Sequence, residues 1–302
     1  MKKLILMCLL LASNTFAQNI RLVVPFAIGG PSDAIAKLVQ RDLSRELNVN
    51  IVLDYKPGAG GDIGTAAVIN ADPRETVLLV HSVSLVTNAI IKKQPFDIER
   101  LVPITNLGTQ PLIFVTAKTS LLHNIKHWRR NTNTINYGSS GVGTSTHIAG
   151  EVLQRVTGKQ LNHIPYKGQG QVIIDLLSGN LESAFLWSNF ARPYIDSNQI
   201  EALAVVAPNR IGALPDVPTF KEVGITGLEF QPFNVLVAND TKNTQELANI
   251  QQAMSRILDN KETRSEYENL GLSIPRFVNL PTTFISSEKR YYSKLLSNLK
   301  LD

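Results

Sequence analysis

The sequence predicts an α/β protein of two domains with a ligand cleft between them, and three observations carry that expectation. Short β-branched runs alternate with helical patterns along nearly the whole chain, the mark of sheets covered on both faces by helices. Two turns of one design, Pro25-Phe-Ala-Ile-Gly-Gly-Pro-Ser-Asp33 and Tyr137-Gly-Ser-Ser-Gly-Val-Gly-Thr-Ser-Thr-His147, each run from a strand through glycines and hydroxyls into a helix start. A length of 302 residues suits two domains of ordinary size.

The elements follow in order. Lys2 and Lys3, the apolar run Leu4 to Ala12, the polar pair Ser13-Asn14 and the closing Thr15-Phe16-Ala17 read as a secretory signal peptide over residues 1–17, too short an apolar run to span a bilayer. Ile20 to Pro25 reads as a buried strand, and Ala34, Ile35, Leu38, Val39, Asp42 and Leu43 then recur at helical spacing. Strands are expected at 51–53, 77–80 and 112–116, with a short helix over 63–71. A second unit opens at Ile135-Asn-Tyr137, followed by helix 144–157, strand 161–164, helix 169–178, strand 181–186, a helix near 190–197 and strand 201–206. Strand 233–238 and helical patterns over 243–259 and 281–299 complete the chain. The sheets are expected to be mostly parallel. A first domain is expected over 18–117 plus 228–302, with a second inserted at 118–227, so that the chain crosses near Thr116 and again near Glu229.

Composition narrows the function. The net charge is +5, and Lys2 and Lys3 supply two of those charges. Arg129-Arg130 is the only adjacent arginine pair and no basic run carries interleaved aromatics, so no nucleic-acid partner is expected. The only cysteine, Cys8, lies inside the leader, so no disulfide supports the fold and the core must do so.

The two Gly-rich loops carry the most chemistry. A helix N-terminus presents unpaired N–H groups and the positive end of the dipole, and both favour an anion. Ser32, Ser139, Ser140, Thr144 and Ser145 add short donors, although Ser and Thr at such places also serve simply as helix caps. Pro57-Gly-Ala-Gly-Gly-Asp-Ile-Gly64 departs from G-x-G-x-x-G at Ile63, and no G-x-x-x-x-G-K-[ST] occurs, which disfavours nucleotides. Residues 137–142 lack the G-x-S-x-G frame of a nucleophile elbow. One enzymatic alternative remains, a serine-dependent hydrolase using Ser140 or Ser145 with His147. His123 and His127, four apart, have no third ligand in sequence, so no metal is expected. Tyr166 and Trp187 each fit either a cleft wall or a core.

The same loops resemble a known family, the substrate-binding proteins of tripartite tricarboxylate transporters, or Bug-type receptors. The similar stretches are Val24 to Asp33, Lys56 to Gly64, Tyr137 to Ser145, His163-Ile-Pro-Tyr-Lys-Gly168, and Leu214-Pro-Asp-Val-Pro-Thr-Phe220 with Arg210 before it. They come in the family's order and cover essentially the whole chain after the leader. The resemblance implies a type II periplasmic-binding-protein fold closing on an organic acid held by neutral donors and ordered water. It implies Phe26, Ala27, Gly30 and Ser32 on one jaw and Ser139, Gly143, Thr144 and Ser145 on the other. His81 and Ser82 fall where the family places further cleft residues, and Asp33 is expected to fix its loop. Two departures stand out. Pro73-Arg-Glu75 replaces the family's Pro-Asp-Gly, and Phe185-Leu-Trp-Ser-Asn189 is apolar where many members carry an acidic or small polar residue, which argues against a ligand bearing an ammonium group. The expectation is therefore a monomeric periplasmic receptor without enzymatic activity or cofactor. It would bind a small carboxylate and serve the membrane subunits of a tripartite transporter or a sensor kinase.

Overall fold

The computed structural model describes residues 19–230, 232–276, 278–297 and 299; the expected leader at 1–17 lies outside the described residues. The chain opens with β1 (Ile20–Val24), α1 (Pro31–Leu47), β2 (Ile51–Tyr55), α2 (Asp62–Ile69), β3 (Val77–Ser82), α3 (Ser84–Ile91) and β4 (Val102–Thr109). It continues through β5 (Leu112–Ala117), α4 (Ile125–Arg130), β6 (Ile135–Ser139), α5 (Ser145–Thr157), β7 (Leu161–Pro165), α6 (Gln169–Leu177), β8 (Ser183–Trp187), α7 (Ser188–Asp196) and β9 (Ile200–Val206). It closes with β10 (Phe233–Ala238), α8 (Thr244–Asp259), α9 (Lys261–Asn269) and α10 (Phe284–Leu296).

Two five-stranded sheets form, in the orders β2-β1-β3-β10-β4 and β7-β6-β8-β5-β9. They are the same plan twice. In the first, β1 pairs parallel with β2 and β3, while β10 lies antiparallel between β3 and β4. In the second, β6 pairs parallel with β7 and β8, while β5 lies antiparallel between β8 and β9. In each sheet four of the five strands therefore run in one direction, in keeping with the expectation of mostly parallel sheets, and one strand runs against them. The βαβ alternation specifies the parallel half of each sheet, and the strand beside the crossing enters against it.

The first domain boundary moves. Leu112 to Ala117, expected in the first domain, pairs with β8 and β9 in the second sheet, so the chain crosses at Gln110-Pro111 and not near Thr116. All six residues of β5 are buried, which marks a central strand but carries no label for which sheet it completes. The return segment runs beside the outgoing one, and the Gln110 N–H donates to the Pro232 carbonyl (3.1 Å). Gln110, 1% exposed, also donates from Nε2 to Asn189 Oδ1 (2.6 Å) and to the Leu270 carbonyl (2.5 Å), tying the crossing to both domains.

Local chemistry fixes the elements that build the cleft. Helix α1 starts with Pro31, whose missing N–H costs nothing in a first turn, and it ends at Asn48 in the left-handed region (φ 52°). Its Ile35, Val39 and Leu43 pack with Leu22, Val24 and α8 residues such as Ile250 and Met254 in one apolar cluster. Helix α5 is capped by the Thr144 hydroxyl, which accepts from the His147 N–H, and its Ile148, Val152 and Leu153 pack under the second sheet with Phe114 and Phe185. Each such side chain contributes about 1.5–3 kcal/mol by leaving water. Both Gly-rich turns are thereby held by rigid helices at the carboxyl ends of β1 and β6, the edge where open α/β sheets place their ligands.

Candidate functional site

A cleft between the sheets is walled by the starts of three helices. Gly30, Pro31 and Ser32 come from the start of α1, Thr144, Ser145 and Thr146 from that of α5, and Gly168 and Gln169 from that of α6. Phe26, Ala27, Ser82, Ser140 and Trp187 complete the wall. Among the described residues no Asp, Glu, Lys, Arg or His lines it. Helix starts carry about half a positive charge each and leave first-turn N–H groups unpaired, so the cleft is electropositive without a formal cation. Within this wall, three buried side-chain donors have no hydrogen-bond partner among the described residues: Ser140 Oγ, Ser145 Oγ and Gln169 Nε2. Leaving a buried polar group unpaired costs about 1–3 kcal/mol, and three at one place mark a surface shaped for an acceptor-rich ligand.

Of the residues singled out in the sequence, Phe26, Ala27, Gly30, Ser32, Ser82, Ser140, Thr144, Ser145 and Trp187 stand in this wall. Asp33, His81, Ser139, Gly143 and Tyr166 do not. Asp33 is buried beneath the first loop, where its carboxylate accepts from the Gly29 N–H (2.8 Å), Tyr55 OH (2.6 Å) and Lys37 Nζ (2.9 Å). Burial pushes its carboxyl up, but those three donors outweigh burial and hold it below the usual value. His81 sits behind Phe26, edge to face at 5.9 Å. Tyr166 OH is turned away to Asp175 Oδ2 (2.5 Å). Ser139 Oγ meets His163 Nε2 (2.6 Å) inside the second domain. Gly143 belongs to a contact between the domains. Thr87 Oγ1 donates to the Gly143 carbonyl, and the Gly143 Cα packs on Asn88 Oδ1 so closely that a Cβ there would stand 1.7 Å away. Sequence reasoning missed Pro31, Thr146, Gly168 and Gln169. The signal for Gln169 lay in Tyr166-Lys-Gly-Gln169, a glycine before a helix start like those of the two loops already noted.

The hydrolase alternative does not assemble. His147 Nδ1 accepts from the Gly143 N–H (3.0 Å) and Nε2 lies 3.7 Å from Glu151 Oε1, so neither nitrogen faces Ser140 or Ser145. Among the described residues, the serines whose hydroxyls meet an imidazole are Ser139 with His163 (2.6 Å) and Ser84 with His81 (3.5 Å), and both are fully buried. His123 and His127 lie edge to face at 5.2 Å, bonded to Ser120 and Asn124, and among the described residues no three potential metal ligands gather.

Buried His147 and Tyr137 instead stack on either side of half-buried His163 beneath the second loop, with ring separations of 4.0 and 5.0 Å. Burial lowers His147 to about 3, helped by the neighbouring His163 and Lys92, and lowers His81 to about 4 against the opposing pull of Asp62. These imidazoles stay neutral when folded but take up protons near pH 6.5 when unfolded. Their contribution to stability is therefore full above about pH 6.5 and is lost as pH falls towards 4 and then 3. Between pH 7 and pH 5, His81 and His147 together should lower the unfolding free energy by about 4 kcal/mol. Urea denaturation at the two pH values measures this. A loss under about 1 kcal/mol would mean that the folded protein protonates them readily.

A family model, described as tripartite tricarboxylate transporter family receptor, matches residues 35–282. The chain is 30% identical over 230 residues to protein BugT of Bordetella pertussis, covering 74% of this chain and 71% of that one. Among solved structures, that of a periplasmic transporter superposes with a TM-score of 0.86 at 28% identity, over 95% of this chain and all of the other. MatC from Rhodopseudomonas palustris with bound malate superposes at 0.82 and 22% identity, over 92% and 98%. These superpositions place the chain in the two-domain α/β fold of periplasmic binding proteins.

Proposed function

We propose that this chain, which belongs to the tripartite tricarboxylate transporter receptor family, is a periplasmic receptor that closes on a small organic carboxylate. One observation carries the proposal: a cleft walled by three helix starts and lined, among the described residues, by no charged side chain, with Ser140, Ser145 and Gln169 offering buried donors into it. Such a wall suits an anion's oxygens and gives an ammonium nothing to pair with, since an unpaired buried cation is costly. A neutral wall also favours reversible binding, because each donor lost on release can return to water without stranding a buried charge. Phe26 and Trp187 supply flat apolar surface for the carbon skeleton. The paired segments at Gln110-Pro111 and Pro232 would serve as the hinge, and the closed form would be the one that membrane subunits of a tripartite transporter, or a sensor kinase, recognise. The bound malate of MatC, a protein of the same fold, supports the ligand class.

A thermal-shift panel of small mono- and dicarboxylates, aromatic acids, glutamate and aspartate tests this. At least one acid should raise the melting temperature, and the amino acids should bind less tightly than their deaminated counterparts. Replacing Ser140 and Ser145 by Ala should weaken the best acid by about tenfold or more per hydroxyl, at about 1.5–3 kcal/mol for a hydrogen bond to a charged group. Silence across the panel, or full affinity in both variants by calorimetry, would overturn the reading.

A further inference from the structure

Gln169 is the first residue of α6, at the carboxyl end of the turn that follows β7, and it is 2% exposed. Its two amide ends are not equivalent. Oε1 accepts from the Trp187 backbone N–H (3.2 Å) at the end of β8, and a backbone N–H can only donate. The amide therefore cannot flip without setting its NH2 against that N–H. Nε2 is left as the end facing the cleft, buried and without a partner among the described residues. A side-chain amide is ordinarily ambidextrous, able to donate or accept as a ligand demands. Here the neighbouring strand removes that freedom and leaves a donor only.

We infer that Gln169 is a specificity-determining residue, a fixed donor that selects ligands carrying a second acceptor, such as a carboxylate or carbonyl oxygen, beside the carboxylate that the helix starts hold. The inference rests on the proposed carboxylate-binding function and adds a discrimination to it. A ligand ending in a methyl group leaves the Gln169 NH2 buried and unpaired, which costs about as much as a hydrogen bond is worth. A ligand ending in an ammonium group sets donor against donor. Trp187 gains a second part in this arrangement, because its ring lines the cleft while its backbone N–H aims the amide. Gln169 is thus set by two elements, α6 and β8, that are both parts of the rigid second domain.

The test measures affinities of the whole protein for matched ligands that differ only at the far end. Succinate, butyrate and 4-aminobutyrate form one set; adipate, hexanoate and 6-aminohexanoate form a longer one. In the unaltered protein the diacid of at least one set should bind about ten- to a hundred-fold more tightly than its monoacid, with the amino acid weakest. Gln169→Leu should collapse the ratio of diacid to monoacid affinity towards one. Gln169→Glu keeps an acceptor for the Trp187 N–H while replacing the donor by an anion, and it should reverse the preference of diacid over amino acid. Melting temperatures of the unliganded variants check that each folds. If no acid of either set binds, the carboxylate-receptor reading itself falls. If acids bind but the unaltered protein treats the matched ends alike, or the ratio survives in both variants, the receptor reading stands and the role of Gln169 is overturned.

Discussion

Gly143→Ala is expected to weaken acid binding by about a hundred-fold while leaving a folded protein. Gly143 has φ 78°, a left-handed conformation that alanine tolerates poorly, and this strain lowers stability by about 1 kcal/mol with the cleft open or closed. The loss of affinity comes from the contact between domains. The new Cβ would stand 1.7 Å from Asn88 Oδ1. Asn88 cannot simply turn aside, because its Nδ2 donates to the Gly60 carbonyl (3.1 Å) and to Asp62 Oδ1 (2.7 Å). Closing the cleft would then break the bond to a carboxylate and the Thr87 to Gly143 bond, together about 3 kcal/mol against the closed form. Calorimetry on the variant measures the loss, and small-angle scattering should show that ligand no longer compacts it. Adding Asn88→Ala makes room for the methyl group, so the double variant should bind better than Gly143→Ala alone. A single variant that binds like the unaltered protein would show that this contact plays no part in closure.

Gly150→Ala should cost about 2–4 kcal/mol of stability, against the usual sign. In an exposed helix interior the exchange gains about 1 kcal/mol. Gly150, however, lies in α5 against the Tyr137 ring, and a Cβ would meet Cε2 at 2.1 Å and Cζ at 2.2 Å. Tyr137 is fully buried, its OH donates to Glu151 Oε1 (2.8 Å), and its ring stacks on His163. Moving it would disturb the stack that holds His147 and, through the Gly143 N–H, the second loop. Overpacking of this kind outweighs helix propensity. Urea denaturation should show the loss as a lower midpoint with an unchanged slope. A variant as stable as the unaltered protein would mean that the ring has space to move.

Much of this was legible in the sequence because it was written in local spacing. The strands beginning at Ile20 and Val77 are largely apolar runs closed by turn residues, and both Gly-rich loops announce themselves by glycine, hydroxyl and helix start in succession. Strand β4 was not legible. Val102-Pro-Ile-Thr-Asn-Leu-Gly-Thr109 carries Pro, Asn and Gly, residues that argue against a strand, and it survives as an edge strand whose pairing with β10 is broken by two register shifts. The sheet that β5 completes was hidden for another reason: pairing across a crossing is a long-range contact that leaves no periodicity. Gln169 was hidden because glutamine at a helix start is unremarkable until the Trp187 N–H, eighteen residues along the chain, is seen to fix its amide.

The placement of β10 sets an order of assembly for the growing chain. All five strands of the second sheet fall within residues 112–206, so that lobe can be complete before the chain is. The first sheet cannot, because β4 pairs with no other named strand and waits for residues 233–238 to arrive between it and β3. Until then the open edge of β3 and the unpaired β4 bear backbone groups with no partner strand. The lobe that begins first is finished last. A chain cut short before Phe233 would hold one completed lobe and another whose sheet is split in two.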